Sequence, residues 1–285
     1  MKKVLVAGAT GYLGKYVVKE FKRSGYHVSA IVRNTGKLDE IKEFIDEKII
    51  GQVTNPISLV GVCSGIDVVF SSVGITKQKD GLTYMDVDYQ ANRNLLDEAK
   101  RAGVKKFIYI SVFGAHKMKQ LKAIQAKLKF EEELKNSGID YTIIYPNGFF
   151  SDMKEYLEMA KKGKGMVVGS GENKINPIHG ADLAEVCVKA VSSDSKEIEA
   201  GGPQVFTHRE IFNVAFRAVN KKVKVSGFPV WMKNVTLWLA RTFTSVKTYG
   251  PLEFFMTVLS NDMIAPKYGN KTLDEFYKEA AMNLK

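Results

Sequence analysis

A chain of 285 residues with 45% hydrophobic residues is long enough to bury one sizeable core, which excludes an intrinsically disordered protein. A net charge of +11 asks for an anionic ligand or surface, but the lysines are spread over many segments of mixed sign, so nucleic acid is not an expected partner. Cys63 and Cys187 stand far apart in apolar stretches with neither disulfide nor metal-ligand spacing; they read as core thiols in a reducing compartment, and no metal is expected.

The chain opens on MKKVLVAGAT, where four or five apolar residues run straight into a glycine turn. A buried first strand explains this better than a secretory signal. No segment reaches the roughly 18 apolar residues of a membrane-spanning helix, and a cytoplasmic location is expected. Strands are predicted at 3–8, 27–33, 48–50, 67–74, 106–111 and 141–146. Between them lie amphipathic helices at 12–24, 87–102 and 119–137, with weaker ones at 37–45 and 56–63. Valine- and isoleucine-rich runs without polar alternation suit strands buried on both faces, so the pattern predicts an α/β fold with a doubly wound parallel sheet of Rossmann type.

After Pro146 the rhythm changes. The loop NGFFSDM leads to a helix ending near KKGKG, then short strands at 166–168 and 174–178 and helices at 181–192 and 207–219. The run KVKVSGF and further helices follow, one of them opened by Thr272 and Glu275 as a capping box.

Gly8, Gly11 and Gly14 follow the first strand directly and open the first helix. Glycine permits a tight turn and close backbone approach, and a helix amino terminus offers N–H groups and partial positive charge to a pyrophosphate. The loop Gly8, Ala9, Thr10, Gly11, Tyr12, Leu13 and Gly14 is therefore the expected cradle of a dinucleotide. At the end of the second strand stands Arg33, with Lys37 nearby and no acid before Asp39. An arginine there suits a 2′-phosphate through bidentate pairing, so NADP is favoured over NAD. The expected organisation is an NAD(P)-binding domain over 1–150 and a smaller, mostly helical carboxy-terminal lobe over 151–285, partly interleaved with it.

The stretch KAIQAKLKFEEEL raises a separate question. At about 100° per residue, Lys127 and Glu131 fall on the same side as Leu121, Ile124, Leu128, Phe130 and Leu134. Lys127 reads either as a lysine whose stem packs while its head pairs with the i+4 glutamate, or as a functional cation.

The glycine loop, NLLDEAKRAGVKKFIYIS, SGIDYTIIYPNGFF and INPIHGADLAEV together resemble the atypical short-chain dehydrogenase/reductases, especially the NmrA-like, isoflavone-reductase-like and divinyl-reductase-like branch. The resemblance implies a catalytic set of serine, tyrosine and lysine, in which the lysine holds the nicotinamide ribose. Ser111 matches the serine and Lys127 the lysine, but Ala123 stands at the tyrosine. It also implies that Ser72, Val73 and Gly74 lie beside the adenine ribose and pyrophosphate, and Pro146, Asn147 and Gly148 beside the nicotinamide. Gln52 and Tyr145 depart from a usual aspartate and arginine.

The implied function is an NADPH-dependent reductase of a small organic substrate, a carbonyl or an activated double bond, covered by residues after Pro146. Lys127 would anchor the ribose and be a candidate proton source, with Ser111 holding the substrate's polar group. Acid–base work would need the lysine shifted well below its ordinary range, which an apolar face favours and Glu131 opposes. The alternative is a non-catalytic NAD(P)-binding redox sensor or assembly protein, a reading Ala123 supports. His116 could replace the missing proton donor but reads more readily as a loop histidine, His179 as structural, and Asp182 as a first-turn helix acid. FPVWMKNVTLWLARTF combines Trp231, Leu237, Trp238 and Leu239 with Lys233 and Arg241, and Trp231 and Trp238, seven apart, share one helix face. Packing against the lobe or a partner subunit is favoured there over contact with a membrane surface.

Overall fold

The apolar run KVLVA becomes the central strand β1 (Lys3–Ala7), in which Val4, Leu5, Val6 and Ala7 have no solvent exposure. It is joined by β2 (His27–Val32), β3 (Glu47–Ile50), β4 (Val68–Ser71), β5 (Lys106–Ile110) and β6 (Asp140–Pro146) in the order β3-β2-β1-β4-β5-β6, with a seventh strand, Glu197–Ala200, at the far edge. The pairs from β3 to β6 are all parallel. Helices α1 (Tyr12–Arg23), α2 (Asn92–Arg101) and α3 (Lys122–Lys135) accompany them, α1 burying Leu13, Val17, Val18 and Phe21. The doubly wound sheet read from the sequence is the observed one. Its order reverses between β1 and β4, and a crevice at the carboxyl ends of such strands is where this architecture receives ligands.

This computed structural model describes residues 1–33, 36, 38–75 and 81–282; Lys37 lies outside them. They fall into two units, Met1–Tyr145 with Leu183–Ile198, and Pro146–Asp182 with Glu199 onward. Three local expectations are corrected. The weak helices at 37–45 and 56–63 are only 3₁₀ turns at Lys42–Phe44 and Pro56–Leu59. Asn55 accepts the Ile57 N–H to start the second, and extended Val60 followed by Gly61 at φ +80° ends it after one turn. The helix expected at 87–102 begins as a π-helical segment, Met85–Ala91, before continuing as α2. The seventh strand, EIEA, was not among the expected elements; its alternating burial suits a sheet edge rather than the centre.

The second unit holds α4 (Phe150–Lys161), β7 (Gly165–Val168), β8 (Lys174–Ile175), the start of α5 (Gly180–Lys189), the end of β9 (Glu197–Ala200), β10 (Phe206–Thr207), α6 (His208–Ala218), β11 (Val225–Phe228), α7 (Val230–Phe243), α8 (Val246–Leu259) and α9 (Leu273–Met282). KVKVSGF supplies β11, parallel to β7. The capping box at α9 is present: Thr272 Oγ1 accepts the Glu275 N–H at 3.3 Å and donates to Glu275 Oε2 at 2.7 Å. A second box, Thr207 with Glu210, opens α6.

Within this unit His208 is 2% exposed, and its Nδ1 lies 2.8 Å from the Tyr156 hydroxyl. Burial pushes the imidazole down to about 4. The unfolded chain takes up that proton near the ordinary 6.5 and the folded chain only near 4, so stability is present at neutral pH and lost as pH falls through this window. The loss reaches about 3 kcal/mol. Urea denaturation across this range should therefore show a smaller acid-side loss in His208→Asn than in the unaltered protein, whatever the variant's stability at neutral pH.

Candidate cofactor site

The carboxyl ends of β1 to β4 enclose a cavity of about 370 Å³, all within the first unit. Gly8, Thr10 and Gly11 line it after β1, Arg33 after β2, Gln52 to Thr54 after β3, and Ser72 to Ile75 after β4. The glycine loop fits a pyrophosphate on three observations. Gly8 sits at φ +88°, and a Cβ there would lie 2.6 Å from Ser72 Oγ. A Cβ on Gly14 would lie 2.0 Å from the Gly8 carbonyl oxygen, so only glycine lets α1 approach β1 this closely. The first turn of α1 carries no acidic residue, which leaves its positive end uncompensated towards an anion. Arg33 is exposed at the cavity wall. Gln52 donates its side-chain amide to Thr54 Oγ1 at 2.8 Å.

Lys127 is directed into the unit, as the helical period indicates, with its side chain 14% exposed. Its partner is not Glu131. Nζ lies 2.8 Å from Oδ1 of Asp88, a carboxylate with no solvent exposure, carried by the π-helical segment. The Tyr109 ring lies 5.7 Å from Nζ. Gly74 brings this pair to the cavity wall: a Cβ there would come within 2.7 Å of Asp88 Oδ1 and 2.9 Å of Lys127 Nζ. Burial opposes the lysine's charge, but Asp88, aided by Tyr109, outweighs it and holds Lys127 above the ordinary lysine range. The pairing thus favours the charged form of Lys127, which suits an anchoring cation better than a group that gives or takes a proton at neutral pH.

Glu131, 2% exposed, takes two hydroxyl hydrogens instead. Ser111 Oγ donates to its Oε1 at 2.5 Å and Tyr145 Oη to its Oε2 at 2.9 Å. Burial, reinforced by Glu131, raises the Tyr145 hydroxyl well above its ordinary range. With its hydrogen committed, Ser111 is set to accept a hydrogen bond rather than to donate one. Ala123 is half-buried one turn before Lys127.

The NAD(P)H-binding family matches residues 8–194, more than half of the chain. The chain belongs to that family. Among its relatives is the photosystem II assembly factor Ycf39 of Cyanophora paradoxa, 26% identical over 96% of this chain and 85% of that protein. Another is the chloroplastic divinyl chlorophyllide a 8-vinyl-reductase of Zea mays, 27% identical over 96% of this chain and 78% of that one. Among solved structures, an NADPH-dependent quinone oxidoreductase of Escherichia coli complexed with NADPH superposes with a TM-score of 0.76 at 19% identity, covering 97% of this chain and 99% of that one. The resemblance to NmrA-like atypical short-chain dehydrogenase/reductases is borne out, and the chain is of a reductase-like, NAD(P)H-binding type.

Of the residues singled out in the sequence of this NAD(P)H-binding protein, Gly8, Thr10, Gly11, Arg33, Ser72, Val73 and Gly74 line this same cavity. Ala9 and Leu13 are buried beside it in the core. Pro146, Asn147 and Gly148 belong to the second unit, where Asn147 is 1% exposed and its side-chain nitrogen donates to Asn176 Oδ1 at 2.6 Å and the Met263 carbonyl at 2.5 Å. His116 is exposed in a 3₁₀ turn. The His179 ring packs against Phe150 and Phe276. Asp182 does more than sit in a first turn: it accepts the Lys271 N–H at 3.0 Å.

Two positions that hold the cavity wall escaped the sequence reading. Asp88 accepts the Ile75 N–H at 3.2 Å besides pairing with Lys127. Asn92 accepts from Ser71 Oγ at 2.6 Å and donates to the Val73 carbonyl at 3.1 Å, so the two side chains fix the strand-end segment on both sides of Gly74. The available signal was MDVDYQAN, an acid and an amide four residues apart opening an amphipathic helix.

Proposed function

We propose that this protein is an NADPH-dependent reductase of a small organic substrate bearing a carbonyl or an activated double bond. The observation that carries the reading is the placement of Lys127, paired with Asp88, behind Gly74 in the wall of the cavity that Arg33 and the glycine loop also line. Bound NADPH supplies a hydride to such an acceptor. Arg33 is the residue for the 2′-phosphate, Gly8 to Gly14 for the pyrophosphate, and Lys127 for the nicotinamide ribose. With no tyrosine at position 123, Lys127 held charged and the Ser111 hydrogen given to Glu131, the proton that completes reduction comes from water. That suits acceptors whose reduced anion is stabilised by conjugation, quinones and enones before simple ketones.

The test is NADPH oxidation across a panel of quinones, enones and simple ketones. Turnover confined to the conjugated acceptors supports the proposal, and NADPH binding with no turnover on any of them overturns it in favour of a non-catalytic NAD(P)-binding assembly or sensor protein. That second reading draws on the partnered state of both Lys127 and Ser111, and on an assembly factor that aligns over 96% of this chain.

Cofactor choice is tested separately at Arg33. A charged hydrogen-bonded contact contributes about 1.5–3 kcal/mol, so Arg33→Ala should weaken NADPH binding roughly 10- to 100-fold by fluorescence titration and leave NADH within about twofold. An equal loss for both cofactors would contradict the phosphate role.

A further inference from the structure

Helix α7 is turned inside out. In an ordinary surface helix the apolar stripe faces the core and the charges face water. Here Leu237 is the one buried residue of α7, and the cations lie on its side of the helix. Lys233 Nζ donates to Ser260 Oγ at 3.1 Å, and Arg241 Nε to Glu253 Oε1 at 2.9 Å, both on or next to α8. The opposite face carries Trp231 (66% exposed), Val235 (46%), Trp238 (61%), Leu239 (42%) and Phe243 (76%). The lobe does not cover these side chains, so of the two packing partners expected for them, the lobe and a partner subunit, the lobe is not the one.

The surrounding charge states what would cover them. From Ile211 to Leu252 there is no acidic residue, while Arg217, Lys221, Lys222, Lys224, Lys233, Arg241 and Lys247 supply seven cations. Lys222 and Lys224 are exposed just before the strand that leads into α7, and Lys247 is exposed in the first turn of α8. A second copy of the chain brought to this face would set the exposed Lys222, Lys224 and Lys247 of each against those of the other, while Arg217 and Arg241 are already paired with Asp274 and Glu253. An anionic bilayer answers both features, because tryptophan and phenylalanine seat in the headgroup region while lysines meet lipid phosphates. At 14 residues α7 is about 21 Å long, and no described helix is long and apolar enough to cross a membrane, so the geometry is that of a helix lying in the interface.

We propose that α7, with the lysines at its two ends, docks the protein on the surface of an anionic phospholipid bilayer. The chain's two tryptophans are both on α7, so intrinsic tryptophan emission reports this face alone. With the full chain and vesicles of phosphatidylglycerol and phosphatidylcholine, the emission should shift to the blue and be quenched by brominated lipid. Pure phosphatidylcholine or high salt should weaken both effects. Each lysine near an anionic surface is worth about fivefold in partitioning, so replacing Lys222, Lys224 and Lys247 by Gln should lower vesicle binding on the order of 100-fold, read by co-sedimentation. Trp231→Ser, at an exposed position that leaves the core intact, should lower it as well while Trp238 still reports. Unchanged emission on anionic vesicles overturns the proposal. So does a blue shift in vesicle-free protein that grows with concentration alongside a doubled mass, which would assign the face to a second copy, or a shift produced by oligonucleotide and not by lipid.

Discussion

Replacing Lys127 by Met should cost about 3–5 kcal/mol of folding stability and remove most of the affinity for NADPH. The two losses have separate causes. Asp88 has no solvent exposure, and Lys127 is the cation that compensates it at 2.8 Å; without the ammonium a buried carboxylate is left unpaired, the costly way to break such a pair. The carboxyl responds by holding a proton, in the direction burial already pushes it against the pull of Lys127, so the stability deficit should shrink as pH falls. Adding Asp88→Asn to Lys127→Met removes the stranded charge and should restore most of the stability. It should not restore NADPH binding, because the cation at the wall behind Gly74 is still missing. Urea denaturation and NADPH titration on the single and double variants separate the effects. A double variant that binds NADPH like the unaltered protein would sink the anchoring role, and a stable Lys127→Met would sink the charge-pair account.

The inward lysine was legible because a 3.6-residue period fixes which side of a helix a side chain occupies. Its partner was not. The near candidate in sequence was Glu131, whereas the true one is Asp88, carried by a π-helical segment whose wider turn shifts the register that a regular period would assign. Ser111 and Tyr145 likewise reach Glu131 from the ends of two different strands, a convergence set by sheet topology and absent from local pattern. The glycine loop and Arg33 were readable because the strand, the loop and the helix that build the cradle are contiguous in the chain. Helix α7 was recognised as amphipathic, but periodicity places the stripe without saying whether it faces the protein or the solvent.

The glycines of the loop should differ sharply from one another, and Gly14 should be the least replaceable. A Cβ on Gly14 would meet the Gly8 carbonyl oxygen at 2.0 Å, the Gly8 carbonyl carbon at 2.8 Å and the Ala9 Cα at 2.9 Å. These are backbone atoms in the turn itself, which cannot rotate aside, so α1 must lift away from β1 and carry Leu13, Val17, Val18 and Phe21 out of their packing. Overpacking of this kind costs about 1–3 kcal/mol and occasionally more; Gly14→Ala belongs at or above the upper end. Gly14 is absent from the cavity wall, so its effect on NADPH passes through the displaced helix, and stability and affinity should fall together, the affinity by more than about 100-fold. Gly11 gives the opposite signature. It lines the cavity at φ −75°, and its Cβ would meet only the Gly8 carbonyl oxygen, at 3.2 Å. Gly11→Ala should therefore keep its thermal midpoint and lose affinity, since it adds a methyl group to a residue of the cavity wall. Gly8→Ala, strained at φ +88° and 2.6 Å from a serine hydroxyl that can turn away, should fall between them in stability. Thermal melts paired with NADPH titrations of the three variants give the ordering, and a Gly14→Ala protein as stable as Gly11→Ala would show that close contact of helix and strand is not what the third glycine provides.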